Sequence, residues 1–307
     1  MIYVNNLSKL FGDFVAVNDL TFNILPGDVV GFLGPNGAGK STTMKMLTGF
    51  LAPSTGGIQI ADLSMAEDAK KIKKLIGYLP EGAPAYGDMT PIQFLHFIAK
   101  IRGLKGKHKA ERINTVIKQV DLLGVLDKPI ENLSKGFKRR VGLAQAILHD
   151  PDILILDEPT DGLDPNQKHQ VRELIQNLAK EKIVIISTHI LEEVTAVCNR
   201  VMIISAGQLR FDASPEALLA KSKYHKAVTL HLSYPSDISG LLELPGVIDM
   251  EHERSTGRVT LLTQNGADVL HDVTEHIKDR RLPVDTIFVE QGRLDQVFRD
   301  ITQGVKA

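Results

Sequence analysis

The eight residues GPNGAGKS, Gly34 to Ser41, limit what this chain can fold into more than any other stretch. They fit the pattern Gly-x-x-x-x-Gly-Lys-Ser/Thr, and their neighbours suit it. VVGFL (29–33) before them is a continuous apolar run, the composition of a strand buried on both faces of a parallel sheet. STTMKMLTGF after them spaces its apolar residues as a helix does. A strand, a tight loop and a helix in that order direct successive backbone N–H groups toward one point. Gly34, Gly37 and Gly39 admit backbone conformations closed to other residues, and Pro35, Asn36 and Ala38 complete the loop. The helix start adds the positive end of its dipole. Lys40 brings a mobile ammonium, and the Ser41 hydroxyl, with Thr42 beside it, suits a Mg²⁺ ion. Such a loop is made for the phosphates of a nucleoside triphosphate.

A second signal is ILILDE, residues 153–158. Four apolar residues form a buried strand that ends in two carboxylates. Asp157 would stand at the carboxyl edge of the sheet, where open α/β sheets bind ligands, and there it can orient a Mg²⁺ shell. Glu158 follows, placed to polarise a water. Alone, an acidic pair after a strand reads as an exposed loop; downstream of a phosphate loop it reads as part of a site.

The rest of the chain supports an α/β sheet with crossovers. Residues 2–7 and 20–25 read as strands, and Pro26-Gly27 marks a turn. Residues of about 88–150 form a mostly helical insertion, opened by Thr90-Pro91 in the manner of a cap and a first-turn proline. After ILILDE come a helix (167–180), the strand KIVIIST, a helix (190–198) and the strand RVMIIS. Near residue 222 the character shifts. Strands at 226–234, 247–254, 258–264 and 284–290 alternate with helices at 236–243 and 266–281. That β-α-β-β-α-β order, with a last helix from about 292, predicts a small ferredoxin-like α+β domain over 222–307, beside a first domain over 1–221.

Composition narrows the function. With 36 Lys and Arg against 37 Asp and Glu, the near-zero net charge argues against a protein that coats nucleic acid. The single cysteine, Cys198, sits in the apolar register of EEVTAVCNRV and reads as a core residue in a reducing compartment. No apolar run approaches the roughly 20 residues of a spanning helix, and MIYVNNLSKL does not resemble a signal peptide. A cytoplasmic protein is expected, with any membrane role supplied by a partner.

GPNGAGKST, LSKGFKRRVGLAQAI, ILILDEPTDGLDP and ISTH, in that order, resemble the nucleotide-binding subunit of ABC transporters over about residues 2–215. The resemblance implies a P-loop NTPase cassette with a helical subdomain. It makes Leu133 to Phe137 the signature segment LSGGQ, with Ser134 and Gly136 matched, and Lys135 and Phe137 departing from it. Ser134 would then meet the γ-phosphate held by an opposite subunit, besides capping its own helix. The resemblance places Phe11 where an aromatic residue stacks on adenine, and makes Glu81 stand where the family has a Mg²⁺-sensing glutamine. It makes Asp164 of GLD a residue that crosses the dimer interface and His189 the switch histidine. Lys138, Arg139 and Arg140 read as solvated or subunit-facing charge rather than a nucleic-acid patch.

Glu81 and LSKG look like the gliding-motility-type and related drug-exporter ATPases, and so does the closing LDQVFRDIT (294–302). The expected function is therefore an ATP-binding and ATP-hydrolysing subunit, using Mg²⁺, of an exporter-class ABC transporter. Its expected partners are a second copy, placed head to tail, and a separate integral membrane permease gripped by a groove between the helical insertion and the Glu81 loop. The chain would lie on the cytoplasmic face of the membrane, with no nucleic acid bound. The alternative is an ABC ATPase acting on ribosomes or DNA. The translation type carries two cassettes and the chromosome type long heptad coiled coils; this sequence shows one phosphate loop and no such heptads. A small-molecule kinase would not need LSKG, Asp164 and His189. Cargo is chosen by the permease and is not legible here.

Overall fold

A computed structural model describes residues 1–82, 85–180 and 182–303, in two compact units divided between Asp212 and Ala213. The chain opens with a long hairpin, β1 (Ile2–Phe11) and β2 (Phe14–Ile24), then the fully buried β3 (Val29–Leu33). Next come α1 (Lys40–Leu47), β4 (Thr55–Ile60), β5 (Leu63–Ser64), α2 (Met65–Leu75) and β6 (Ile76–Leu79). The helical segment holds α3 (Pro91–Ile101), α4 (Gly106–Gln119) and α5 (Lys135–Ile147). β7 (Ile153–Asp157), α6 (Pro165–Leu178), β8 (Ile183–Thr188), α7 (Leu191–Val197), β9 (Arg200–Ser205) and β10 (Gln208–Ala213) follow.

The larger sheet runs β10-β9-β3-β8-β7-β6, and β9, β3, β8, β7 and β6 are parallel. β3 and β7 are buried at every position, as their unbroken apolar sequences require. Each such Val, Leu or Ile contributes about 2 kcal/mol of burial. Gly31 in β3 has a packing reason: a Cβ there would lie 2.7 Å from Val194 on α7. Cys198 caps that helix and is buried, which pushes its thiol up to about 12, with Glu193 nearby adding to the shift. It is a core residue, as its register suggested.

A second, antiparallel layer, β2-β1-β4-β5, covers the core, with Ile2, Leu7, Leu20 and Ile60 packed inward. Most of this layer is not legible from periodicity, and β2 begins at Phe14, well before the expected residue 20. α3 starts where expected. The Gln93 N–H donates to the Thr90 hydroxyl, the Gln93 side chain accepts from the Thr90 N–H, and Pro91 occupies the first turn. Among the described residues no helix is long and apolar enough to cross a membrane.

The second unit holds α8 (Pro215–Leu219), β11 (Val228–Leu232), β12 (Val247–Glu253), β13 (Arg258–Thr263), α9 (Leu270–Arg280), β14 (Val284–Val289) and α10 (Leu294–Gln303). Its sheet order, β12-β13-β11-β14, is antiparallel throughout and has the ferredoxin-like connection. Two expectations differ. The division falls nine residues before 221/222, because α8 packs against α10 within this unit. The helix read over 236–243 is only a 3₁₀ turn, Ser239–Glu243, because the Asp237 carboxylate accepts from the Ser239 N–H and hydroxyl and holds a local turn. Residues 304–307 of the expected domain lie outside the described residues.

Candidate active site

The parallel sheet sets the site through its register. Leu33 lies beside Thr188, Asp157 beside Ser187, and Leu79 beside Leu156. The carboxyl ends of β3, β8, β7 and β6 therefore finish level, and the segments that leave them meet at one edge. These segments carry Gly34–Ser41, His189, Glu158 and Glu81.

The loop after β3 turns tightly. A Cβ on Gly34 would lie 2.3 Å from the Ile204 carbonyl oxygen, and Gly39 has φ 102 with the Ala16 carbonyl 2.5 Å from where its Cβ would be. Only glycine fits either place. α1 begins at Lys40, so its first amides face the loop interior. The Lys40 ammonium is buried and donates to the carbonyl oxygens of Gly34 (2.6 Å) and Pro35 (3.1 Å). Burial lowers its pKa; the carboxylates of Glu158, Asp157 and Glu81 oppose that shift. A cavity of about 270 Å³ lies over this loop, lined by Asn36 to Thr42 with Phe14, Ala16, Glu81, Asp157 and Glu158. A larger cleft, about 700 Å³, lies in the second unit around Tyr234 and Arg254, without a phosphate loop. Chemistry rather than size picks out the site.

Asp157 closes β7 at 2% exposure. Glu158 then turns into the left-handed region, φ 51, at a cost of about 1–2 kcal/mol. Its N–H donates to the Ser187 carbonyl at 2.8 Å, and its Oε1 lies 2.9 Å from His189 Nδ1. Behind them Glu193, buried on α7, accepts from the hydroxyls of Thr160 and Thr188 and pairs with Lys168 at 3.5 Å. That carboxylate links the loop after Glu158 to the strand end before His189, a tie the sequence pattern did not announce. Ser41, Asp157 and Glu81 offer the hard oxygen donors that suit Mg²⁺. Among the described residues no group of three or more His, Cys, Asp or Glu side chains forms a metal cage by itself.

Other expected residues stand elsewhere. Ser134 caps α5, accepting from the Phe137 N–H at 3.4 Å. Asp164 caps α6, accepting from the Gln167 N–H at 2.9 Å. Gly136 packs beneath that loop, where a Cβ would meet Gln167 at 2.7 Å and Leu163 at 3.2 Å. Ser134, Gly136 and Asp164 thus form one patch, outside the cavity of their own chain. Phe11 does not line the cavity either; its cross-hairpin partner Phe14 does, while the Phe11 ring lies under the Lys9 ammonium at 5.2 Å. The reading of Arg139 and Arg140 as solvated charge is corrected: both are 5% exposed. Arg140 donates to Asp121 (2.9 Å) and Gln170 (2.8 Å), and Arg139 to backbone carbonyls at the site. A helical arginine can reach across a domain, and spacing alone does not reveal it.

A profile of the ABC transporter family matches residues 17–161. The bacitracin transport ATP-binding protein BcrA of Bacillus licheniformis is 36% identical over 285 residues, 88% of this chain and 92% of that one. The Nod factor export ATP-binding protein I of Cupriavidus metallidurans is 34% identical over 220 residues, 71% of this chain and 73% of that one. The probable multidrug ABC transporter ATP-binding protein YbhF of Escherichia coli is 34% identical over 223 residues, 72% of this chain but 38% of that longer one. In space, a solved ATP-binding subunit of an ABC transporter superposes with TM-score 0.67 and 29% identity, over 71% of this chain and 91% of that one.

Proposed function

Because the chain belongs to the ABC transporter family, as one of its ATP-binding and ATP-hydrolysing proteins, we propose that two copies close head to tail over two ATP molecules and so drive a separate permease that exports its cargo. One observation carries this reading. The phosphate loop, Asp157, Glu158 and Glu81 share a cavity with His189 at its edge, while Ser134, Gly136 and Asp164 form a patch outside it. Each chain thus holds two half-sites. In a head-to-tail pair the Ser134-capped N-terminus of α5 in one copy would face the γ-phosphate held by the other, and ATP would join two positive helix ends.

In the closed site the loop amides and Lys40 hold the β- and γ-phosphates, and Phe11 or Phe14 flanks the base. Ser41, Asp157 and Glu81 would hold Mg²⁺, which when bound neutralises charge on the transferred phosphoryl group. Glu158 polarises a water for in-line attack on the γ-phosphorus and takes up its proton. His189 orients the Glu158 carboxylate and faces the γ-phosphate. The P–O bond to ADP breaks, giving ADP and phosphate. The charge that held the pair is divided, and the copies separate.

A further cleft, about 530 Å³, supports the permease reading. It lies between α3 and the β6 segment that leads to Glu81, with Phe50, Ile76, Tyr78, Ile98 and Ile101 on its walls and Lys73, Lys74 and Arg102 at its rim. Phe50 is 73% and Ile101 64% exposed, and Phe50 packs on Tyr78 with ring centroids 5.6 Å apart. We read it as the seat of a short permease helix with apolar side chains and an acidic residue toward the basic rim. The chain would then work at the cytoplasmic face of the membrane. Export is supported by the similarity to Nod factor export and multidrug ATP-binding proteins and by LSKG and Glu81.

The reading is tested by capture from membranes with tagged Glu158→Gln protein, ATP and Mg²⁺. Recovery of a polytopic membrane protein supports it. Recovery of ribosomes or DNA with no membrane protein overturns it and leaves the ATPase chemistry standing.

A further inference from the structure

Arg139 lies in the second turn of α5, the helix that Ser134 caps. At 5% exposure its cation has left water almost completely, which lowers its pKa; nearby carboxylates, Asp161 foremost, oppose that shift. A buried guanidinium of this kind usually forms a fork with a carboxylate. Here its hydrogen bonds go to the main chain. Nη1 donates to the Pro80 carbonyl at 3.1 Å, and Nη2 is shared by the carbonyls of Asp157 and Glu158. Its Nε is buried without a hydrogen-bond partner. Those three carbonyls belong to the residue before Glu81, to the last residue of β7, and to the residue after it.

The contact with Glu158 matters most. Glu158 holds a left-handed backbone, φ 51, which a non-glycine residue keeps only when its surroundings impose it. Its N–H is held by the Ser187 carbonyl at 2.8 Å, and its own carbonyl is held by Arg139 and by the Asp161 N–H, 3.2 Å away. Both flanking peptides are therefore gripped, and the side chain between them is aimed at His189, 2.9 Å away. One grip comes from the sheet. The other comes from the Asp161 N–H and from α5, whose first turn carries the patch proposed to face a second copy.

We infer that Arg139 is a positioning residue: it sets the Glu158 carboxylate for attack on the γ-phosphate and ties that setting to the place of the Ser134 end of α5. The inference rests on the proposed role of Glu158. A small shift of α5 then reaches the Glu158 and Pro80 backbones through one side chain, so hydrolysis depends on how α5 is seated. Lysine cannot replace the fork, because one ammonium cannot hold three carbonyls in the same geometry.

The test is steady-state ATPase activity of the full chain, with ATP affinity from a fluorescent ATP analogue and the Tm of each variant. Arg139→Lys and Arg139→Gln are compared with wild type and with Glu158→Gln. Misplacing a catalytic group by about 1 Å costs roughly 100-fold. Arg139→Lys is therefore expected to lose roughly 10- to 100-fold in kcat, with ATP affinity within about threefold of wild type. Arg139→Gln should lose at least as much. An Arg139→Lys protein whose kcat stays within about twofold of wild type overturns the inference, as the same arithmetic requires. A Lys variant that fails to fold, or loses kcat and ATP affinity in proportion, gives Arg139 a role in stability alone and also overturns it. If Glu158→Gln itself hydrolyses ATP normally, the reading of Glu158 has failed first, and the two failures are told apart.

Discussion

His189 Nδ1 stands 2.9 Å from Glu158 Oε1, across the level carboxyl ends of β8 and β7. Neither residue is near the other in sequence; the parallel pairing of their strands brings them together. Replacing Glu158 with Gln keeps the shape and removes the base. We expect kcat to fall by at least about 100-fold with ATP affinity kept. With ATP bound and hydrolysis blocked, the variant should elute as a dimer in size-exclusion chromatography. A monomeric Glu158→Gln protein with full ATP occupancy would contradict the half-site reading. His189→Ala should lose kcat with little change in ATP affinity, measured in the same assay.

Phe14, 62% exposed, lines the cavity, while Phe11 pairs with it across the hairpin. Stacking of a base on an aromatic ring contributes about 1–3 kcal/mol. Phe14→Ala is expected to weaken ATP binding by about tenfold, more than Phe11→Ala does. Titration with a fluorescent ATP analogue decides between them. A larger loss in Phe11→Ala would return the base to the position the family resemblance gave it.

Phe50 and Ile101 face the cleft assigned to the permease. Phe50→Asp and Ile101→Asp should abolish co-purification with the membrane partner. Basal ATPase activity of the free chain should stay within about twofold, because exposed substitutions away from the core usually change stability by under about 0.5 kcal/mol. Loss of basal activity in both variants would place these residues in the fold or the catalytic machinery instead.

His149 gives the protein a pH-dependent stability. Its Nε2–H donates to the Ile76 carbonyl at 3.2 Å, and burial, followed by the charge of Arg102, lowers its pKa from 6.5 to about 4. The unfolded chain therefore takes up a proton near pH 6.5 that the folded chain refuses until about pH 4. Stability contributed by the neutral ring is present above pH 6.5 and is lost as pH falls through that window. The loss is on the order of 2 kcal/mol after allowance for partial exposure. His149→Gln should flatten the Tm-against-pH curve between those values. An unchanged slope in the variant would show that other groups set it.

Much of the site is legible in the residues because its physics is local. The glycines of the phosphate loop, the apolar runs of β3 and β7 and the cap at Thr90 each act within a few residues, so spacing and composition reveal them. Asp157 and Glu158 are readable for the same reason, since they end a strand whose apolar run is continuous. The antiparallel layer is less so. β2 begins in exposed residues, β5 has two residues, and β4 pairs with β1 far from it in the chain. The 3₁₀ turn at Ser239 and the boundary after Asp212 depend on a side-chain cap and on a helix–helix packing that periodicity does not encode.

The sequence by itself determined the phosphate loop, the buried strands that flank it, the acidic pair at the end of β7 and the four strands of the second unit. Each depends on chemistry within one segment. Only the tertiary structure decided which phenylalanine lines the cavity, that Glu158 is held between Ser187 and Arg139, and that Arg139 and Arg140 are buried rather than solvated. A long side chain chooses its partners by where distant backbones pass, and that is a property of the folded chain, with no counterpart in the order of its residues.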